Sequence, residues 1–499
     1  VLKSLITIAI LAVAGVHADV TLPAILTEHM VLQRDRPVHL WGKAAPSEPV
    51  SVTFRGETQQ TTADPFGQWS LYLAPGPAGG PFDLAITAAN TIAFKDVLVG
   101  DVWVASGQSN MEFKLRQTAS AQAEIAAAKY PKIRRILIPK RVSDHPMDDT
   151  AAQPWKDINP DNAANASAVA FFFARNLQDK LNGVPMGIVE SFWGGTPVES
   201  WISLHGIGED PALMPIFGGW ARSLEAWPIV ETRYKHRLDQ WTASSQATTA
   251  GSAAQPKPGK PETGPGGAYT PTGLYNGMIA PLTPYPIKGA IWYQGESNAN
   301  PNPNGAALYA RAFQAMIRDW RRVWALGDFP FLYVQLANYK ANPAWPDLRE
   351  AQRQTLSLAN TGMAVTIDVG NPTNIHPTNK QDVGLRLALA ARAVAYGEKL
   401  TYSGPLFRQA VREGNTLRVF FDETGAGLTA KGGTLKGFEI AGPDRRFTAA
   451  EAHIEGGAVV VSSPAVQSPL LVRYGWADNP DCNLYNAEGL PASPFRSAE

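Results

Sequence analysis

Asp101-Val102-Trp103-Val104-Ala105-Ser106-Gly107-Gln108-Ser109-Asn110-Met111-Glu112 is the stretch on which the reading of this chain turns. An apolar run of the buried-strand type ends at Gly107, and a serine follows two residues later. Glycine lets a chain turn sharply and lets a ligand come close to the backbone. A strand that delivers a serine at its carboxyl end puts it where open α/β sheets bind ligands. Serine alone is inert, because it needs a base, an orienter for that base and donors for an oxyanion. The turn lacks the second glycine of the Gly-x-Ser-x-Gly nucleophile elbow and so does not specify that hydrolase fold. Taken alone, the segment more often describes a serine capping the next helix.

Working outward, the pattern of strand followed by polar turn recurs. Apolar runs at 101–105, 186–190, 289–293, 331–336 and 363–367 alternate with helical periodicity at 163–181, 306–324, 348–358 and 379–396. That alternation predicts a mostly parallel sheet covered by helices. Behind the second run lies Ser191-Phe192-Trp193-Gly194-Gly195-Thr196-Pro197-Val198-Glu199-Ser200-Trp201. Its paired glycines can offer backbone N–H groups to an anion or form an ordinary turn. Trp193 and Trp201 can line a sugar subsite or pack beneath it. Behind the third run, Gln294 carries an amide able to donate to an oxyanion. Glu296, two residues on, is either an acid–base group or a loop organiser accepting backbone N–H bonds.

The fifth run leads through Asp368 and Asn374 to His376-Pro377-Thr378-Asn379-Lys380-Gln381. Thr378 and Gln381 fit a capping box, which predicts that the helix starts there. His376 then stands just outside a helix N-terminus, whose positive end disfavours imidazolium and leaves the ring able to accept a proton. Ser109 and His376 thereby share one predicted rim. The remaining histidines are scattered, with no pair at metal-ligand spacing, and there is no phosphate-binding glycine motif. No metal and no nucleotide cofactor is expected.

The flanks read differently. Residues 20–95 form short alternating runs separated by turns, which predicts a small β-sandwich. A second β domain is expected over 402–499. Between them, 203–275 interrupts the α/β pattern, helical around 222–241 and then loop-like and rich in Ala, Gly, Pro and Thr over 244–272. The 499 residues exceed what one core of about 250–300 residues holds. The expected division is a targeting segment 1–18, a β-sandwich 19–96, an α/β domain 97–401 and a β domain 402–499. Lys3, the apolar run 5–13 and Val16-His17-Ala18 have the form of a signal peptide, so the chain is expected to be exported, periplasmic or secreted. That run is too short for a permanent membrane span. Cys482 is the single cysteine and cannot form an internal disulfide. Lys+Arg and Asp+Glu are both 44, which gives no reason to expect a nucleic acid partner. The 14 Trp are compatible with a carbohydrate ligand, although most indoles serve cores.

Gly107-Gln108-Ser109-Asn110, the glycine turn at Gly194, Trp292-Tyr293-Gln294-Gly295-Glu296-Ser297-Asn298, the His376 segment and the tail from Arg473 to Asn486 resemble, in this order, the sialate O-acetylesterases of the SGNH-hydrolase superfamily. The resemblance implies a flavodoxin-like three-layer α/β domain, flanked here by small β-sandwich domains. It also implies hydrolysis of O-acetyl esters on sugars, on sialic acid or on a plant polysaccharide such as xylan or xyloglucan, without a metal. Carried over, Ser109 is the nucleophile and His376 the base. The oxyanion donors are the Ser109 N–H, a glycine N–H at Gly194 or Gly195, and the Gln294 side chain. Asn110, Trp193, Glu296 and Trp201 are the substrate-binding candidates. The chain departs from the superfamily at the third triad member: Thr373 stands where Asp-x-x-His has its Asp, and Asn374 stands two before the histidine. Asn374, Asp368, another carboxylate, or no third residue at all are the alternatives. Two other classes compete with the esterase: a glycosidase using Glu112 and Glu296 as a carboxylate pair, and a non-catalytic sugar-binding protein.

Overall fold

The computed structural model describes residues 19–247, 256–300 and 305–497. The expected targeting segment and residues 248–255 of the expected loop lie outside the described residues. Six parallel strands form the central sheet: β1 Thr91–Gly107, β2 Tyr130–Leu137, β3 Met186–Phe192, β4 Gly289–Tyr293, β5 Phe331–Val334 and β6 Thr361–Ala364. Their order across the sheet is β6-β5-β4-β1-β3-β2, with the short strand Lys156–Ile158 closing the β2 edge in antiparallel fashion. The five strands expected from the sequence are β1, β3, β4, β5 and β6. In chain order they lie 2-1-3-4-5, so the chain reverses direction across the sheet at β1.

β2 was not expected, and its composition explains why. Pro131, Lys132, Arg134 and Arg135 interrupt its apolar residues. The two arginines are nonetheless buried or nearly so, through ion pairs with Asp96 and Glu190. Elsewhere the expected boundaries shift by a few residues. β5 ends at Val334, two residues before the expected end, and β6 begins and ends earlier than expected.

Helices α1 Ala168–Lys180, α2 Pro215–Ala247, α3 Gly305–Trp324, α4 Trp345–Gln354 and α5 Gln381–Val394 complete the frame. α1 starts at Ser167, whose hydroxyl caps the Ala170 N–H and also donates to the Met111 carbonyl. α1 packs on α5 so closely that a Cβ at Gly384 would lie 2.5 Å from the Phe172 Cβ. α3 buries Tyr309, Phe313, Met316, Ile317, Trp320 and Trp324, the spacing of one helical face. The insertion is helical as expected but longer, since α2 runs 33 residues through Pro228. The capping box expected at Thr378 and Gln381 does not form: α5 begins at Gln381, whose amide instead donates to Glu124. Asn379 takes over the local role, accepting the Asp382 N–H and donating to its carboxylate.

β1 belongs to two sheets. Its first half pairs antiparallel with the strand Gly79–Thr87, and its second half lies between β3 and β4. Burial changes where the neighbours change: residues 91–96 alternate, whereas 97–107 are continuously buried. The boundary expected between 96 and 97 therefore falls within one strand. A single apolar core runs from the N-terminal strands through the α/β layers. Asp101, fully buried, reinforces the junction by accepting both Arg34 nitrogens and the Tyr396 hydroxyl.

The C-terminal strands have their own core, built from Leu417, Val419, Ile440, Val459, Val461 and Phe495 among others. The tail from Arg473 to Asn486 docks this unit on the central sheet. Buried Arg349 donates to the carbonyls of Leu336 and Ala337 on one side and of Ala477 and Asp478 on the other. Among the described residues no helix is long and apolar enough to cross a membrane. Arg349→Met would leave four carbonyls without their donor, each costing about 1–3 kcal/mol where it stays dry. It is expected to lower the thermal unfolding midpoint by roughly 5 °C or more. An unchanged midpoint by circular dichroism would refute this account of the docking.

Candidate active site

The site is assembled where β1, β3 and β4 end. Gly107 closes β1 with φ +133°, and a Cβ there would lie 2.2 Å from the Tyr293 carbonyl oxygen. Only glycine fits this approach. The Gln108 N–H then donates to the same carbonyl at 2.9 Å. Its side-chain oxygen accepts the N–H groups of Gly295 and Ser297, folding the turn behind β4. Ser109 is thereby placed at the first position of the single helical turn Ser109–Glu112. The Trp193 N–H donates to the Gly107 carbonyl, which draws the second turn up beside the first. A Cβ at Gly194 would lie 3.2 Å from the Ser109 Cβ.

His376 Nε2 lies 2.7 Å from Ser109 Oγ, across 267 residues of chain. The imidazole is half-buried and stacks on Phe113, ring centroids 6.4 Å apart. Burial, and secondly the nearby Lys380 ammonium, hold its pKa below the ordinary imidazole value. In the tautomer with its proton on Nδ1, Nε2 accepts from the serine hydroxyl.

The third-member candidates are arranged differently from a triad. Asp368 is held by Arg386 through two bonds of 2.6 and 2.8 Å, which commits both its oxygens away from the imidazole. Asn374 turns its side-chain oxygen onto the His376 backbone N–H at 2.9 Å. Among the described residues, no group bonds Nδ1 of His376. His376 is fixed through its backbone: Asn374 holds its N–H, and Asn110 Nδ2 donates to the preceding carbonyl, that of Ile375, at 3.0 Å.

The oxyanion candidates also separate. The N–H groups of Ser109 and Gly195 have no partner among the described residues. The Gly194 N–H donates to Glu112 at 2.9 Å, and Glu112 is in turn paired with Lys140. Gln294 is buried, and its amide nitrogen donates to the Thr196 carbonyl and to Asn298 Oδ1. It ties two turns together and has no hydrogen left for an oxyanion.

Of the substrate-binding candidates, Trp201 is fully buried, its indole N–H donating to Thr196. It is core, whereas Trp193 stays half-exposed with the Lys140 ammonium 5.7 Å from its ring. Asn110 is buried with its amide saturated by Glu296, Ile375 and Lys380. Glu296 accepts from Asn110 at 2.6 Å, and burial pushes its carboxyl pKa up. Asn110 is therefore internal to the scaffold, and Glu296 is tied to it through Oε1, while its Oε2 has no partner among the described residues. With Glu112 occupied by Lys140 and Gly194, the two glutamates do not form a glycosidase pair.

Two features escaped the sequence reading. Lys380 is fully buried at the N-cap of α5, and a cation at that end opposes the helix dipole, which is a signal the sequence carried. The other is a cleft of about 730 Å³ beside the glycine turn, lined by Glu199, Trp220, Arg222, Tyr269 and Arg311 among others. The Tyr269 hydroxyl lies 4.0 Å from where a Cβ on Gly195 would be. Trp220 and Tyr269 come from the insertion, so only the folded chain brings them there. Among the described residues no three His, Cys, Asp or Glu side chains gather as a metal site.

Comparison with known proteins places the chain in a family. The sialate O-acetylesterase of Mus musculus is 31% identical over 94% of this chain and 93% of its own length. That of Homo sapiens is 30% identical over 94% and 91%. The chain belongs to the sialate O-acetylesterase family. A family model described as carbohydrate esterase, sialic acid-specific acetylesterase, matches residues 266–395. A carbohydrate acetylesterase from Xanthomonas citri superimposes with a TM-score of 0.82 at 41% identity, covering 96% of this chain and all of that one. The mixed α/β architecture with its central sheet is thus shared with that carbohydrate acetylesterase.

The two third-member candidates should part on mutation. Asp368→Ala leaves the Arg386 guanidinium without its carboxylate and is expected to cost about 3–5 kcal/mol of stability, with kcat of the folded fraction little changed. Asn374→Ala, at an exposed position, should leave stability nearly intact and lower kcat about tenfold by loosening the base. Urea titration beside esterase kinetics measures both, and the reverse ranking would refute the assignment.

Proposed function

We propose that this chain is a carbohydrate O-acetyl esterase in which Ser109 and His376 carry out two-step acyl transfer. The observation that carries the reading is the 2.7 Å contact between Ser109 Oγ and His376 Nε2 at the carboxyl edge of the sheet. His376 takes the hydroxyl proton as Ser109 Oγ attacks the acetyl carbonyl carbon. The developing oxyanion is met by the free N–H groups of Ser109 and Gly195, donors that need no reorganisation. The bond to the sugar oxygen breaks, and His376 returns the proton to that oxygen. Water, deprotonated by the same imidazole, then cleaves the acetyl-serine and frees acetate. With Asp368 on Arg386 and Asn374 on the backbone, the pair works as a dyad.

An SGNH-hydrolase reading of the α/β domain, flavodoxin-like with flanking β-sandwiches, is supported by the strand order, 2-1-3-4-5 with the edge strand β2 set aside, and by the serine at its reversal point. Export is supported by Lys3, the apolar run after it and Val16-His17-Ala18. The sugar is placed in the cleft beside Gly195, with Trp220 and Tyr269 offering ring faces. Arg222 there has no ion-pair partner among the described residues. Glu199, which accepts from Asn298 at 2.9 Å, has its carboxyl pKa pushed up by burial.

Ser109→Ala should reduce kcat on 4-nitrophenyl acetate on the order of 10³–10⁶-fold while the protein stays folded. Wild-type turnover in that variant would overturn the reading. Since His376 sits below its ordinary value near 6.5, the acidic limb of kcat/KM should fall below about pH 6.5. Trp220→Ala is expected to raise KM about tenfold on acetylated oligosaccharides and leave 4-nitrophenyl acetate unaffected. Equal effects on both would remove the sugar from this cleft. Rates on acetylated sialic acid, xylan and xyloglucan, measured side by side, identify the sugar.

A further inference from the structure

Lys380 follows His376 by four residues, and its side chain is directed inward at a helix end that repels cations. Its ammonium donates to Asn110 Oδ1. The Asn110 amide passes the interaction on, donating to Glu296 Oε1 at 2.6 Å and to the Ile375 carbonyl at 3.0 Å. Ammonium, amide and carboxylate thus form a buried chain, with Asn110 next to the nucleophile and Ile375 next to the base. The ammonium also lies 4.8 Å from the centre of the Phe113 ring and 5.3 Å from that of Tyr293. Phe113 is the ring on which His376 stacks. A neutral side chain of similar length would fill this space without opposing the dipole or needing Glu296, so the charge itself calls for a reason.

We infer that Lys380 is a positioning residue for the Ser109–His376 pair, fixing the Ile375–His376 backbone through Asn110 and keeping the imidazole unprotonated by like-charge repulsion. The inference rests on the dyad reading above. Removing Lys380 frees Asn110 Oδ1, so Asn110 can rotate and release the Ile375 carbonyl. It also removes a positive charge that disfavours imidazolium. The charged and titratable groups around the imidazole are Lys380 on its own segment, Glu296 and Tyr293 from β4 and its turn, and Glu112 with its partner Lys140 beyond Ser109. Glu112 and Lys140 cancel in their ion pair. Glu296 bonds Asn110, and besides burial it is Lys380 that acts on the imidazole. The Lys380 ammonium is therefore the charge whose removal the base should register. Burial pushes the Lys380 pKa down to about 7, so the ammonium is present on the acidic side, where the imidazole titrates.

The sign follows directly. Without the cation, imidazolium is less disfavoured, the His376 pKa rises, and the base is lost at a higher pH. In full-length Lys380→Gln, the acidic limb of kcat/KM on 4-nitrophenyl acetate should move upward on the order of half to one pH unit. The pH-independent plateau of kcat should also fall about tenfold or more as the base loosens. Lys380→Arg keeps the charge, and its limb should stay at the wild-type pH. Because Lys380→Gln leaves Glu296 uncompensated, the double variant Lys380→Gln/Glu296→Gln removes both charges and tests the same shift if the single variant fails to fold. A folded variant lacking the cation whose limb stays at the wild-type pH overturns the inference, whatever its plateau does. The wild-type profile separates the two readings: a wild-type protein without serine-dependent acetyl-ester hydrolysis defeats the dyad itself, whereas an active wild type with an unmoved variant limb defeats only the role of Lys380.

Discussion

The closest backbone approach in the site is also its foundation. Gly107 brings β1 against the Tyr293 carbonyl at a separation that excludes any side chain. Because β1 and β4 are neighbours in register, this approach aligns the ends of two strands whose turns carry Ser109 and Gln294–Asn298. Gln108 exploits the alignment by bonding backwards to Tyr293 and sideways to Gly295 and Ser297. The serine is then held by strand geometry rather than by loop packing. That matters because displacements of about 1 Å can cost 10²-fold in rate.

Around that point the polar groups are arranged for rigidity. Gln294, Asn298, Thr196 and Glu199 join the β3 and β4 turns through bonds that leave little freedom. Buried polar networks of this kind are costly when incomplete and stiff when satisfied. The C-terminal unit participates at a distance. Arg349 bridges carbonyls of the central sheet and of the tail, and Asn338 bonds Asn479 while its oxygen accepts the Gly370 N–H. Gly370 begins the loop that leads to His376, so the tail buttresses the segment that delivers the base.

Legibility in the sequence followed the range of the interaction that made each feature. The parallel strands could be read because burial on both sides writes itself as continuous apolar runs, as in 101–105 and 289–293. β2 could not, since Arg134 and Arg135 are buried only by virtue of Asp96 and Glu190, partners far along the chain. Ser109 and His376 were legible from their place after strands. The roles of Asn110, Glu296 and Gln294 were not, because an amide or carboxylate looks identical in sequence whether it meets a ligand or another side chain. At the expected division, 96/97, composition changes while the hydrogen-bonded strand continues through it.

A cation beside the base, in place of a carboxylate, changes how the two halves of the reaction share the work. A carboxylate on Nδ1 raises basicity and steadies imidazolium. Here Nδ1 has no such partner among the described residues, and both burial and Lys380 lower the imidazole pKa. A weaker base removes the serine proton less readily, yet it remains unprotonated to lower pH. Its conjugate acid is correspondingly stronger, and in the proposed acyl transfer that acid protonates the departing sugar oxygen. What is lost in proton abstraction is therefore partly recovered in expulsion of the sugar. The balance suits an ester, whose carbonyl is more easily attacked than an amide's. If Lys380 has the inferred role, the ammonium held on Asn110 that lowers the His376 pKa also fixes the backbone beside it.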